Sequence, residues 1–400
     1  METQMHERQL AAYKRLLMVS ILDALCKQLE LTDTKYQTAK DRYEAVGAWL
    51  AEAESRFLQK AAIYAQGSIA LGTAIKPTGR NEFDVDLVCL LPTVDQSSSA
   101  AAVKALIGDR LKANGKYDGI LEEKQRCWRI NYADEFHLDI TPAILNPQCN
   151  QGGELIPDKK LACWKPTNPH GYMSRFEQYA ALRPKFYFRE AVYAEKRADV
   201  QQFPAQQMSK PFLKRIVQLL KRHRDFCFAA PTRKDLAPIS IIITTLASWS
   251  YADCVAHNTY PDAFNLITDV VRRMPDFIAV QDRSGTPYYI IENETTAGEN
   301  FADKWNQDHR LALAFYRWHE SSLAALEALL DIEGADHLGK QLQESFGASR
   351  EQVCGALAPL TAGVGNARAS SSLLVAPSLG VVTGSAAGAV SVLTNTFFGR

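Results

Sequence analysis

The stretch Gly67–Leu90, GSIALGTAIKPTGRNEFDVDLVCL, decides how the chain is read. It opens on a Gly-Ser pair, crosses a polar turn at PTGRNE, and closes on Asp-Val-Asp inside an apolar run that ends before Pro92. Side chains alternate faces along a strand, so Asp84 and Asp86 project from the same face. Two neighbouring carboxylates repel, and burying them unpaired is costly. A hard divalent cation resolves the conflict, and Mg²⁺ held by carboxylates usually completes its shell with substrate phosphates. The Gly67-Ser68 turn suits those phosphates. Glycine lets the backbone approach closely, and backbone N–H groups with the Ser68 hydroxyl can grip a triphosphate.

Around this stretch the chain predicts strand, helix, strand, helix and two strands: AIYAQGS, SIALGTAIKP, FDVDLVCLL, SSSAAAVKALIGDRLKA with a serine cap, RCWRINYA and EFHLDITPAIL. The last pair turns at Ala133-Asp134. Alternation in the final strand puts His137 and Asp139 on one face and Phe136, Leu138 and Ile140 on the other. Asp139, in an otherwise apolar strand after the Asp-Val-Asp, is read as a third metal ligand. Three carboxylates on neighbouring strands can hold two Mg²⁺ ions, with Mn²⁺ a substitute, about 3.5–4 Å apart.

The fold class expected is α+β: a mixed sheet backed by helices, followed by a helical lobe. Residues 1–60 read as two helices packing on the core, 61–165 as the catalytic core and 166–350 as the helical lobe. Residues 351–400 read as a flexible Gly/Ala/Ser-rich tail ending in FFGR. The polar stretch from Pro147 to Lys165 reads as a loop. A strong helix is expected after Ser209 as N-cap, with Pro211 in its first turn.

Composition narrows the function. Lys plus Arg and Asp plus Glu are 45 each, a balance that disfavours long nucleic acid as a partner. The N-terminal METQMHERQLAAYKRLL lacks a signal-peptide h-region, and no apolar run reaches the roughly 18 residues of a membrane span. Eight scattered cysteines without a CxxC pair are expected to be reduced, mostly buried thiols of a cytoplasmic protein, with no zinc site.

The ordered set Gly67-Ser68, Asp84-Val85-Asp86 and Asp139 resembles the nucleotidyltransferase superfamily of DNA polymerase beta, poly(A) polymerases and oligoadenylate synthases. GTAIKP before DVDLV, IPDKKLACWKPTNPHGY, LKRHRD, PISIIITTLA and ENFADKW resemble the cGAS/DncV-like bacterial signalling nucleotidyltransferases. That resemblance implies a polymerase-beta-like core with the active site in the cleft between it and the helical lobe, and synthesis of a cyclic di- or trinucleotide from NTPs, with pyrophosphate release, in antiphage defence. Modification of a small molecule, RNA end or protein, or nucleotide binding without catalysis, stays open as the alternative. The resemblance assigns Gly67 and Ser68 to the triphosphate turn and Asp84, Asp86 and Asp139 to metal and catalysis. It assigns Lys221 to donor phosphates and Ser240 to the vicinity of the donor nucleotide.

Other residues weigh less. Lys214 and Lys221 share a helix face, but a solvated basic face competes for Lys221 and more so for Lys210, Lys214 and Arg222. Ser240 could equally cap a helix. Asn300 and Asp303 are expected to cap the helix after ENFADKW rather than approach a base. His137 reads as structural, His223 as a surface residue, and Trp164, Trp249 and Trp305 as core. Tyr172 or Tyr251 could stack on a base. The tail resembles those that a ubiquitin-transfer-like partner conjugates through a terminal glycine, although here Arg400 follows Gly399.

Overall fold

The computed structural model describes residues 2–77, 83–132, 136–158, 160, 163–187, 210–361, 374–376, 380–382 and 390–391. The expected turns at 78–82 and 133–134, Ser209 and the terminal FFGR lie outside the described residues.

Two helices lead, α1 (Glu2–Leu29) and α2 (Asp33–Ala51). A seven-stranded sheet follows: β1 (Ala62–Gln66), β2 (Phe83–Leu90), β3 (Leu121–Glu123), β4 (Trp128–Tyr132), β5 (Phe136–Leu145), β6 (Glu154–Pro157) and β7 (Trp164–Thr167). The main strand order is β1-β2-β5-β4-β3, with β6 pairing both β5 and β7. Between these strands sit the four-residue α3 (Gly67–Ala70) and α4 (Ala100–Lys112), the latter capped by Ser99 as expected. The predicted loop from 147 to 165 thus contains a hairpin, β6–β7, that prolongs the sheet. Pro157 ends β6 beyond its pairing with β5, and Pro166 lies on the outer strand β7, positions that tolerate a missing donor.

Alternation in β2 and β5 is as clean as the sequence implies. Phe83, Val85, Leu87, Phe136, Leu138 and Ile140 enter one core with Val46 and Leu50 of α2 and Ile107 and Leu111 of α4. The opposite face carries the polar residues. Gly108 of α4 makes this packing close: a Cβ there would collide with the Trp128 ring, whose Nε1 donates to the Lys104 carbonyl at 2.9 Å. With Trp128 inward, Arg129 must point to the polar face.

The remainder is mostly helical: α5 (Pro169–Ala180), α6 (Phe212–Cys227), α7 (Pro231–Lys234), α8 (Ser240–His257), α9 (Ala263–Arg273), α10 (His309–Ala328), α11 (Ala335–Phe346) and α12 (Arg350–Thr361). Two small strand pairs interrupt it, β8 (Lys185–Phe186) with β9 (Thr259–Tyr260), and the hairpin β10 (Ala279–Arg283) with β11 (Thr286–Ile290). Short strands β12 (Leu374–Ala376), β13 (Gly380–Val382) and β14 (Val390–Ser391) follow. A second core joins Leu213, Ile216, Leu246, Phe264 and Phe315.

Two boundaries differ from expectation. Helix α1 contributes Leu17, Ile21, Leu22 and Leu25 to this second core, so it packs in the helical lobe and not on the sheet. Helix α12 likewise buries Val353, Ala356 and Leu357 there, so ordered packing extends about ten residues into the expected flexible tail. The cap of α6 is Pro211 itself, and its preset φ of −48° starts the helix.

Candidate active site

A single row crosses four strands. Gln66 on β1 pairs with Asp86 on β2, Asp86 with Asp139 on β5, and Asp139 with Arg129 on β4. Asp84 stands two residues before Asp86, opposite His137. The register therefore brings all three predicted carboxylates onto the polar face of the sheet.

Gly67 closes one side of this row. Its φ is +66°, a left-handed conformation that side chains disfavour, and a Cβ at this position would collide with Asp86 Oδ2. The glycine is thus needed twice, for the turn and for the carboxylate. Ser68 is the second residue of α3, and its carbonyl accepts from Thr73 N at 2.9 Å, which folds the following loop back.

Helix α6 reaches this loop from the helical lobe. Gln218 Nε2 donates to the Ala74 carbonyl at 3.3 Å, Lys221 Nζ to the Thr73 carbonyl at 3.0 Å, and Arg222 Nη1 to the Lys76 carbonyl at 3.4 Å. The basic run is a clasp: Gln218, Lys221 and Arg222 are buried, which removes the solvated-face reading that competed for Lys221 and weighed more for Arg222. Arg215, buried beside them, holds Asp23 and Glu30 at 2.7 Å each and so ties α6 to α1. Lys214 and Lys210 pair with Glu177 and Glu30. His223 is 2% exposed against Trp318 and Phe346, which overturns its surface reading. Burial pushes its imidazole down to about 4.

Electrostatics tie the clasp to the carboxylates. Asp86 is pushed up to about 7, first by burial and then by Asp139 and Asp84, while Arg129 and Lys221 pull the other way. Lys221 is held down at about 8 by burial first and by the Arg224 charge second, with Asp225 and Asp86 opposing. Three crowded carboxylates with excess negative charge are a hard oxygen donor set of the kind that Mg²⁺ or Mn²⁺ accepts. Among the described residues, however, no three acidic, His or Cys side chains stand arranged as a ready cation cage. Beside these carboxylates stands Arg129, which the sequence reading missed. Its Nε and Nη2 lie 2.6 and 2.7 Å from the two oxygens of Asp139, and Nη2 is 3.2 Å from Asp84 Oδ1. An arginine on the strand before Asp139, at the alternate position facing it across the hairpin, was the available signal.

The remaining predicted residues sort as follows. Ser240 is the first residue of α8, not its cap, and its Oγ accepts from Arg224 Nη2 at 3.2 Å, one residue pair away from Lys221. Asn300 caps no helix. Its Oδ1 accepts from Ile291 and Ala302 N–H, its Nδ2 donates to the Tyr289 carbonyl, and Asp308 caps α10 instead. Tyr251 is fully buried with its hydroxyl on the Leu182 carbonyl, so it has no face for a base. Tyr172 bonds Thr245 and packs edge-on against Phe301. Trp305 lies in the core, and Trp164 and Trp249 pack half-buried against the two cores. Of the eight thiols, Cys26, Cys89 and Cys254 are buried and Cys163 and Cys354 exposed, all free. No helix among the described residues is long and apolar enough to cross a membrane.

Residues 17–179 match the family described as the Second Messenger Oligonucleotide or Dinucleotide Synthetase domain. A c-di-GMP synthase of Roseivirga ehrenbergii is 29% identical over 285 residues, 71% of this chain and 72% of that protein. The fold matches the Bradyrhizobium diazoefficiens CD-NTase CdnG in complex with GTP at a TM-score of 0.60 and 21% identity, covering 84% of this chain and 97% of that one. It also matches Escherichia coli DncV in its 3′-deoxy GTP bound form, at 0.52 and 16%, covering 89% and 92%. The fold is that of these solved structures, and the relatives similar in sequence are cyclic dinucleotide synthases. The chain is similar to the cGAS/DncV-like nucleotidyltransferases in fold and, over residues 17–179, in sequence.

Proposed function

We propose that the chain joins nucleoside triphosphates, ATP or GTP among them, into a cyclic di- or trinucleotide messenger for antiphage defence, releasing pyrophosphate. The observation that carries this reading is the row Asp86–Asp139 with Asp84 beside it, abutted by Gly67 and faced by Lys221. The synthase and the nucleotide-bound structures to which the chain is similar support the substrate and product class.

Asp84, Asp86 and Asp139 would hold two Mg²⁺ ions. Bound there, the ions supply charge for the transferring phosphoryl group and activate the attacking hydroxyl. The protein does the rest. The Gly67-Ser68 turn fixes the triphosphate against Asp86, and Lys221, reaching the following loop from α6, neutralises phosphate oxygens. Asp139 accepts the proton of a ribose hydroxyl as its oxygen attacks the α-phosphorus and the bond to the β-phosphate oxygen breaks. The linear product then turns in the cleft and repeats the step on its own hydroxyl, so ring closure releases a second pyrophosphate in the dinucleotide case.

The test is incubation with all four NTPs and Mg²⁺, phosphatase treatment and mass analysis. A phosphatase-resistant cyclic product is expected. Transfer of label to an RNA end, a protein or a small molecule, with no cyclic product, would reject the reading. Asp84→Asn with Asp86→Asn should abolish turnover and leave the fold intact, since both side chains lie off the core face.

A further inference from the structure

The polar face of the sheet holds a cation of the protein's own. Arg129 sits directly opposite Asp139 in the β4–β5 pair, and its guanidinium engages both Asp139 oxygens and one Asp84 oxygen at 2.6, 2.7 and 3.2 Å. These are oxygens that the proposed metal needs. The planar fork matches a carboxylate in two-point fashion, a geometry that a lysine cannot reproduce. Resting on the proposed function's assignment of the carboxylates, we propose that Arg129 is a positioning residue that stands in for the metal. Its guanidinium holds Asp84 and Asp139 together in the unloaded enzyme and must leave them for the metal to bind.

The packing around Arg129 supports an exchange over a permanent strut. Its neighbours in sequence anchor the strand, since Trp128 and Ile130 are buried in the sheet core, whereas the Arg129 side chain keeps 22% of its surface exposed. The backbone is held while the guanidinium has room to swing. Among the described residues its hydrogen-bond acceptors are Asp139 and Asp84 alone. Glu122, its partner across the β3–β4 pair, acts on it through charge alone. Asp86, the third carboxylate, is not engaged by the guanidinium and feels it only at longer range. The guanidinium therefore bridges the Asp84–Asp139 side and leaves the Asp86 side crowded.

The exchange predicts an unusual sign. A strut that merely oriented Asp139 would, when removed, weaken metal binding. An occupant that competes for the same oxygens would, when removed, tighten it. Titrating Mn²⁺ into the full chain without nucleotide, and reading free Mn²⁺ by electron paramagnetic resonance, separates the two. Arg129→Gln should lower the Mn²⁺ dissociation constant about tenfold, which corresponds to about 1.4 kcal/mol. Arg129→Lys, which keeps charge without the fork and serves if the glutamine variant folds poorly, should fall between it and the wild type. Lys124→Gln removes the same charge from the neighbouring β3–β4 turn, where Lys124 pairs with Glu122, and should change the constant by less than about twofold. The rise in unfolding temperature on adding Mn²⁺ should be larger in Arg129→Gln than in the wild type.

Unchanged or weaker Mn²⁺ binding in a folded Arg129→Gln or Arg129→Lys would overturn the proposal, as would an equal gain in Lys124→Gln. Asp86→Asn serves as the separate check on the metal site. If it binds Mn²⁺ as the wild type does, the carboxylate assignment itself falls, and this inference with it. If it loses Mn²⁺ while the Arg129 variants gain nothing, the metal site stands and only the exchange fails.

Discussion

Gly67 and Gly72 form a controlled pair for asking what the turn beside the carboxylates does. Both have left-handed backbones, at φ +66° and +65°, so alanine at either site carries about 1–2 kcal/mol of backbone strain. Part of this is returned, about 0.4–1 kcal/mol, because alanine restricts the unfolded chain. The difference lies in what the new methyl meets. At Gly72 the nearest atoms belong to the flexible Lys214 side chain, at 3.4 Å and beyond, an ordinary contact. At Gly67 the methyl would strike the Asp86 carboxylate, with Cγ only 3.3 Å away, so the carboxylate must rotate or the strand must shift. An off-rotamer Asp86 adds about 1 kcal/mol. Gly72→Ala should therefore lose about 1 kcal/mol in urea unfolding and keep most of its cyclic-product rate. Gly67→Ala should lose about 2 kcal/mol and on the order of a hundredfold in rate, the penalty of displacing a reacting group by about 1 Å. The two assays are independent, so stability cannot masquerade as activity. Equal rate losses in the two variants, or a Gly67→Ala rate within about threefold of wild type, would refute the claim that this glycine exists to seat Asp86.

Two further outcomes test the packing that carries the site. Gly108→Ala should destabilise by about 1–3 kcal/mol in urea unfolding, although alanine is normally better than glycine in a helix by about 1 kcal/mol, because the methyl would overlap the Trp128 ring. His223, buried and held near 4, binds fewer protons folded than unfolded between its ordinary 6.5 and about 4, so its contribution is complete above 6.5 and lost as pH falls. The drop in unfolding free energy from pH 7 to pH 5 should be about 2 kcal/mol smaller in His223→Leu than in the wild type, and equal drops would contradict a neutral buried imidazole.

What could be read from the sequence was what a period of two reveals. Phe83, Val85 and Leu87 against Asp84 and Asp86, and Leu138 and Ile140 against Asp139, are local patterns that the sheet reproduces residue for residue. The glycine before them and the serine cap of α4 were equally local. The β6–β7 hairpin was hidden because Gly152, Gly153, Pro157 and Pro166 give a loop's composition to strands that sit at the sheet's margin. Helices α1 and α12 were assigned to the sheet lobe and the tail because amphipathicity says that a helix has a buried face without saying what covers it.

The deeper failure concerns charged residues, and it has one cause. Arg222 and His223 look like parts of a solvated run, and that reading competed even for Lys221, because the residues around them are charged. Burial of such groups depends on partners that the sequence does not display. Here the partners of α6 are main-chain carbonyls at Thr73, Ala74, Lys76, Phe346 and Gly347, which any residue could supply. No side-chain pattern marks them. Arg129 is the opposite case, since its partners are carboxylates already singled out, and only the hairpin register was missing. Once Asp139 is paired with Arg129, the site has both its negative charges and the cation that balances them. The loop that carries Gly67 is then held between two demands: its start abuts Asp86, and its end is clasped by α6. A movement of α6 relative to the sheet would therefore pull on the Gly67 turn through Thr73 and Ala74, and so reach Asp86 without any contact of its own with the metal site.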